Sequence, residues 1–412
     1  MTPMGTEDDA HGPAGPSDSG ESLTLEIERL APTGEGVARE PSGRVVFVPF
    51  TAPGDRVRVR ISEARARFAR AEIETIEKPS PDRTDPACEA FGACGGCTWQ
   101  HVRYEAQVKA KAAILEDALQ RIGHLELPGP IEVVPCPVEY GYRIRTRVRV
   151  ERGRVGYRRR RSHDIVPTKQ CPILAPPLER ALAELPARSQ GRSGDWWLAL
   201  SGDGCAHAAP MGRPPAGERN RPAPRIQLSV GGSTLECGVG SFHQGNAPLF
   251  ETVAAAVVAA AGQGDAAIEL FAGAGYLTLG LAKNFGRVWA VEGSPKAARD
   301  LELNVERAGA RSVEVLTGSV ERMLGNPPLL GAGAHADVVV VDPPREGLTS
   351  ATIDSLLSLA APRVVYLSCD PATLARDAAK LDAGYSLESV RGFDLFPQTP
   401  HVEALACFAR KA

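Results

Sequence analysis

Apolar positions follow two different periods along the chain. From Leu23 to about Lys78 the period is two. Leu23, Leu25 and Ile27 alternate with polar residues, and Val57, Val59 and Ile61 alternate with arginines. Val45 to Val48 and Ala71 to Ile76 add further strand material, and Pro53-Gly54-Asp55 reads as a turn. Four or five short strands in this stretch predict a small OB-like β-barrel. From Asn246 onward, short apolar runs alternate with helical patterns. Strands are expected at Ala266–Phe271, Val288–Glu292, Asp337–Asp342 and Val364–Cys369, with helices between them and one before them at Pro248–Ala261. That alternation predicts an α/β, Rossmann-like, doubly wound parallel sheet. Between the two regimes lie an amphipathic helix from about Tyr104 to Gly123, a strand at Arg143–Val150, and a Pro/Gly-rich, β-rich stretch from 175 to 240. The expected organisation is a disordered acidic tail (1–21), an OB-like barrel (22–80), a β-rich central domain (81–240) and a Rossmann-like domain (241–412).

Composition narrows this only slightly. An apolar fraction of 43% and a charged fraction of 24% are ordinary for a soluble globular chain. No apolar stretch approaches a bilayer span, and the amino terminus has neither a basic nor an apolar export segment. A cytoplasmic location without membrane association is expected. The net charge of −3 conceals an acidic first segment and ten arginines between Arg143 and Arg161. In the strand Arg143–Val150 the arginines alternate with smaller or apolar residues, which gives one cationic face. Such a local cluster points to nucleic acid. Arg56, Arg58, Arg60, Arg65, Arg67 and Arg70 in the barrel extend the same expectation to RNA. Nothing in the pattern demands a protein partner, and a monomer is expected.

Nine cysteines, odd in number and unevenly spaced, are no disulfide framework. Cys88, Cys94 and Cys97 crowd within ten residues, a spacing that reads as a metal site. Five further constellations carry chemistry. Glu269-Leu270-Phe271-Ala272-Gly273-Ala274-Gly275 ends a strand in a glycine turn, with Glu292 closing the next strand. This spacing suits the ribose of either NAD or S-adenosylmethionine. Asp342-Pro343-Pro344-Arg345 places a carboxylate at the carboxyl edge of the sheet. Leu367-Ser368-Cys369-Asp370-Pro371 places a cysteine at a strand end before a helix, where the helix amino terminus favours a thiolate. Phe396-Pro397-Gln398-Thr399-Pro400-His401-Val402-Glu403 offers His401 and Glu403 as acid–base groups. Phe242-His243-Gln244-Gly245-Asn246 opens the sheet domain, with Asn246 also suited to cap a helix.

Taken in order, these motifs resemble the RNA uracil-5-methyltransferase family from about residue 22 to the end, and the barrel resembles a TRAM domain. The resemblance implies an S-adenosylmethionine-dependent enzyme that methylates uridine at C5 in RNA. It makes Cys369 the nucleophile and Glu403 the base. Gln244, Phe271, Tyr276, Glu292 and Asp342 match the family's cofactor positions. Cys88, Cys94 and Cys97, with distant Cys171, match its [4Fe-4S] ligands, with zinc as the rival occupant. Ribosomal RNA is the expected substrate, and transfer RNA remains open. An NAD-linked oxidoreductase and a non-catalytic RNA-binding protein are the competing readings.

The chemistry explains the residue types. Uracil C5 is a poor nucleophile until a thiolate adds at C6, and a stacked base must be flipped to be reached. Two positions depart from the family pattern. Asp370 stands where Asn is usual, a carboxylate that opposes thiolate formation unless it is paired. Ala272 stands where the glycine turn often carries Cys. Ser319 falls near a polar cofactor contact of some members.

Overall fold

The computed structural model describes residues 20–212, 224–325 and 335–412, so the expected acidic tail lies almost wholly outside the described residues. The chain divides into two compact units, Met1–Asp85 with His101–Arg103 and Pro86–Gln100 with Tyr104–Ala412.

The first unit carries β1 (Ser22–Glu26), β2 (Arg29–Leu30), β3 (Gly36–Arg39), β4 (Val45–Val48), β5 (Arg56–Ala64) and β6 (Phe68–Lys78). They form one six-stranded sheet in the order β1-β5-β6-β4-β3-β2. The period of two does what it promised. Along β5, Val57, Val59 and Ile61 turn inward to join Leu25, Ile27, Val46 and Val48 in the core, and the arginines turn outward. The outward face is not a free cationic strip. Arg56, Arg58 and Arg60 meet Glu77, Glu74 and Glu72 of β6 at 3.1, 3.5 and 3.8 Å. Cross-strand register made this ladder, and the spacing of the arginines alone did not show it.

The second unit begins with the cysteine-bearing loop and α1 (Tyr104–Arg121). Next come β7 (Glu132–Val134), β8 (Arg145–Glu151), β9 (Arg154–Arg158), β10 (Ile165–Pro167), α2 (Pro176–Arg188), β11 (Gly194–Leu200), β12 (Ala206–Pro210), β13 (Arg225–Val230) and β14 (Ser233–Gly238). The alternating stretch continues with α3 (Ala247–Ala261), β15 (Gly264–Leu270), α4 (Thr278–Leu281), β16 (Phe285–Glu292), α5 (Pro295–Arg307), β17 (Val313–Thr317) and α6 (Val320–Leu324). It ends with β18 (Val338–Val341), α7 (Ser350–Leu359), β19 (Arg363–Ser368), α8 (Pro371–Leu381), β20 (Tyr385–Phe393) and β21 (Glu403–Arg410).

Three sheets result: β10-β9-β8-β11-β12, the hairpin β13-β14, and an eight-stranded sheet β17-β16-β15-β18-β19-β21-β20-β7. From β17 to β19 the strands of the large sheet are parallel, and β21 runs antiparallel to β19. The four consecutive valines of β18 are fully buried, as a strand covered by helices on both faces requires. The strand order reverses between β15 and β18, so the crevice at their carboxyl ends is the expected ligand position. The four strands expected from the alternation are β15, β16, β18 and β19, and four others complete the sheet. Edge strand β17 extends the sheet beyond β16, and the short β7 pairs in parallel with β20, covering what would otherwise be an open edge. Among the described residues no helix is long and apolar enough to cross a membrane.

Candidate active site and cysteine cavity

The residues that end the strands are brought together by register. In the antiparallel pair β19–β21, Ser368 faces Ala404. One step further toward the same edge stand Cys369, which follows Ser368, and Glu403, which precedes Ala404. In the parallel pair β15–β18, Leu270 faces Val341, which sets Phe271 and Asp342 at adjacent strand ends. Phe271 holds φ at 65°, a left-handed conformation that a phenylalanine adopts only under constraint from its surroundings. There the chain leaves β15 for the glycine turn.

Charge ties these groups into one neighbourhood. Burial pushes the Cys369 thiol up to about 12, and the carboxylates of Glu403, Asp342 and Asp370 add to that, while Arg345 works against them. The helix amino terminus expected to favour the thiolate is outweighed by burial and by these carboxylates. Glu403, 2% exposed, is raised well above the carboxylate range by burial and by Asp342. Burial raises Asp342 to about 7. Two buried carboxyls that feel each other's charge hold a proton where an exposed one would have none. Tyr276 joins them. Its hydroxyl donates to the carbonyl of Phe250, and burial with the charges of Asp342 and Glu403 raises it further.

Glu292, at the end of β16, is spent on backbone amides. Its two oxygens accept Gly273 N–H at 2.7 Å and Ser294 N–H at 2.6 Å. The carboxylate therefore shapes the glycine turn while remaining at its rim. Gln244 is buried, two residues before Asn246, whose Oδ1 accepts Leu249 N–H at 2.9 Å and caps α3. Asn246 is thus occupied as a cap, as its position before Ala247 and Pro248 suggested. Ser319 likewise caps α6. Asp370 is paired: its Oδ1 accepts the N–H groups of Ala372 and Thr373 at 3.0 and 2.9 Å, capping α8. Asn performs the same task at an N-cap, which accounts for this departure from the family pattern. His401 packs edge-on against Phe396, and burial with nearby Arg345 lowers it to about 4, leaving it neutral at pH 7.

The first residue of the glycine-turn motif carried no role of its own in the sequence. Glu269, 2% exposed, lies inside β15, bonded by the Thr278 hydroxyl at 2.5 Å and raised by burial to about 8. A carboxylate in an otherwise apolar buried strand was the available signal.

Cys88, Cys94, Cys97 and Cys171 line one cavity of about 180 Å³, together with Arg143 and Arg147. None of them is in a disulfide. Burial raises Cys97 to about 12 and Cys171 to about 11. Among the described residues no three His, Cys, Asp or Glu side chains stand close enough to share a single ion. Beside this cavity runs a groove of about 380 Å³ lined by Arg147, Arg149 and Arg158 to Arg161. Among the described residues Asp195 is the one carboxylate on its wall, and it pairs with Arg147, Arg149 and Arg158.

Comparison with known proteins identifies the family. Residues 16–73 match the TRAM domain, and residues 332–411 match the tRNA (Uracil-5-)-methyltransferase family. The 23S rRNA (uracil(1939)-C(5))-methyltransferase RlmD of Chromohalobacter salexigens is 34% identical, covering 94% of this chain and 89% of its own. The enzyme of the same name from Pseudomonas aeruginosa is 33% identical, covering 97% of this chain and 96% of its own. The fold is that of a Pyrococcus abyssi tRNA (uracil-54, C5)-methyltransferase solved with S-adenosyl-L-homocysteine. That structure has a TM-score of 0.71 at 22% identity, over 94% of this chain and all of the other. Likeness at that level to whole relatives, with the family's motifs converging on one sheet edge, means that the chain belongs to the RNA uracil-5-methyltransferase family.

Proposed function

We propose that this protein transfers a methyl group from S-adenosylmethionine to C5 of a uridine in RNA, and that the RNA is ribosomal, as for the relatives at 33–34% identity. The observation that carries the reading is the β19–β21 register, which sets a cysteine and a carboxylate side by side at the ligand edge of the sheet. The methyl donor supplies an electrophilic carbon on a positively charged sulfur. Gln244, Phe271, Tyr276, Glu292 and Asp342 are the residues to hold it, with the glycine turn leaving room for close approach.

The Cys369 thiolate adds to uracil C6, and the displaced electron pair makes C5 nucleophilic. C5 takes the methyl, and the donor's sulfur keeps the electron pair of the broken bond. Glu403 accepts the C5 proton. The C–H pair re-forms the C5–C6 double bond, and the C6–S bond breaks to return the thiolate. Both groups act deprotonated, and burial opposes that in each. Arg345 is the resident cation that favours both charged forms.

The arginine groove beside the cysteine cavity fits a phosphate backbone. The cysteine cavity fits a [4Fe-4S] cluster held by Cys88, Cys94, Cys97 and Cys171. In such a cluster each thiolate binds its own iron, so the ligands stand further apart than around one zinc. Arg143 and Arg147 on the same wall suit an anionic group. A cluster held there would take no step in the reaction and would order the loop that carries its ligands.

Incubation with rRNA and methyl-labelled donor, followed by nucleoside analysis, tests the activity. Labelled 5-methyluridine is expected, and none with Cys369→Ala. Label in another nucleoside, or none at all, refutes the reading. Iron and sulfide near four per chain, lost in Cys88→Ser, are expected for the cluster; stoichiometric zinc would replace it.

A further inference from the structure

The segment that delivers Glu403 runs without regular structure from Asp394 to Val402, between β20 and β21. It is gripped from behind, by α1 and by the residues that follow Cys97. The carbonyl of Gln398 accepts the N–H groups of Thr98 and Trp99 at 3.1 and 3.0 Å. Its own N–H donates to Gln107 Oε1 at 2.8 Å. Gln107 Nε2 donates in turn to Gln398 Oε1 at 3.0 Å and to the Trp99 carbonyl at 3.2 Å. One turn along α1, Lys111 pairs with Asp394 and donates to the Phe396 carbonyl at 3.0 Å. Tyr142 donates to the Pro397 carbonyl at 2.9 Å. Gln107 and Gln398 are 0% and 1% exposed, and Gln398 holds φ at 72°. A non-glycine residue keeps that conformation only where its surroundings impose it. The next residue, Thr399, lines the cysteine cavity.

Building on the reading of Glu403 as base, we propose that Gln107 and Gln398 form a lock that positions Glu403 and couples it to the order of the Cys97–Thr98–Trp99 loop. They are positioning residues, because neither touches the reacting atoms. Without the Gln107 amide, the Gln398 N–H is left buried without an acceptor, and the constraint on its backbone is gone. The segment then relaxes, and Glu403, five residues on, moves with it. A displacement of about 1 Å is enough to slow a catalytic step strongly. The step lost is a particular one. Thiolate addition and methyl transfer precede proton removal, so a misplaced base leaves methylated RNA bonded through C6 to Cys369.

The test is Gln107→Ala, read for a denaturation-stable protein–RNA adduct carrying labelled methyl, with Glu403→Gln as reference. The expected result is turnover at least tenfold slower, accumulation of the labelled adduct as in Glu403→Gln, and unchanged affinity for the methyl donor. Faster hydrogen exchange at the amides of Thr98, Trp99 and Gln398 is expected with it. Wild-type turnover, or slow turnover without adduct, overturns the lock. Should Gln107→Ala not fold, Gln107→Glu keeps the acceptor for Gln398 N–H but sets an oxygen against Gln398 Oε1 and the Trp99 carbonyl, so slowed turnover with adduct is expected there too; an adduct-free loss of activity overturns the lock equally. If Glu403→Gln itself turns over without adduct, the assignment of the base is what fails, and the lock fails with it.

Discussion

Cys369 is a reluctant nucleophile where it stands. Burial and the Glu403, Asp342 and Asp370 carboxylates raise its thiol to about 12, opposed by Arg345. Alkylation by iodoacetamide in the free enzyme is therefore expected to quicken with every pH unit from 7 to 10, without a plateau. Arg345→Ala should slow it at each pH, and a plateau near pH 8 would show a thiolate already formed. Asp370 gives a subtler expectation. Asn can make the same helix cap, so Asp370→Asn should keep the melting temperature while removing a negative charge beside the sulfur. Alkylation should then be faster at fixed pH. Asp370→Ala, by contrast, loses the cap and about 1 kcal/mol. Turnover should rise with pH through 7 and above, because both the thiol and the Asp342–Glu403 pair must lose protons to act and both are raised.

Helix α5 shows how one element organises several walls of the crevice. Asp300 and Asn304, one turn apart, face the hairpin β13–β14. Asp300 accepts the Ser241 hydroxyl at 3.0 Å, three residues before Gln244, and pairs with Arg225. Asn304, 0% exposed, donates to the carbonyl of Ala274 in the glycine turn at 2.8 Å. It also exchanges hydrogen bonds with the backbone of Glu236, both at 2.9 Å. Asn304→Ala is expected to cost about 2–4 kcal/mol by denaturant unfolding, since several buried partners lose their bonds. It should weaken donor binding at the same time. Unchanged values in both measurements would deny α5 this role.

What could be read beforehand follows the same division. The glycine turn, the D-P-P turn and the Ser-Cys strand end were legible because each is a contiguous run whose chemistry and local geometry coincide. The register pairing Cys369 with Glu403 was legible only through family order, since β21 inserts between β19 and β20. The Gln107–Gln398 lock spans 291 residues and consists of two ordinary glutamines, so nothing in periodicity or spacing could announce it. The ion pairs across β5 and β6 were hidden for the same reason.

Across the molecule, buried titratable groups link the crevice to stability. Glu269 keeps its proton to about pH 8 in the folded protein, whereas the unfolded chain releases it near 4.5. The folded state therefore binds the extra proton between those values and loses stability as pH rises through them. Glu269→Gln removes that loss. Its melting temperature should gain on that of the parent from pH 5 to pH 8, and a constant gap would refute the shift. RNA affinity should fall steeply with salt, and reversing the charge of Arg149 and Arg159 in the groove should flatten that slope.

The account as a whole requires that the hydrogen on uracil C5 leave during methylation, after the ring is bonded to Cys369. RNA labelled with tritium at uridine C5 reports this directly. One tritium is expected in water for each methyl incorporated, only with the methyl donor present, and none from Cys369→Ala. Methyl incorporation without tritium release, or release that survives loss of the thiol, would contradict it.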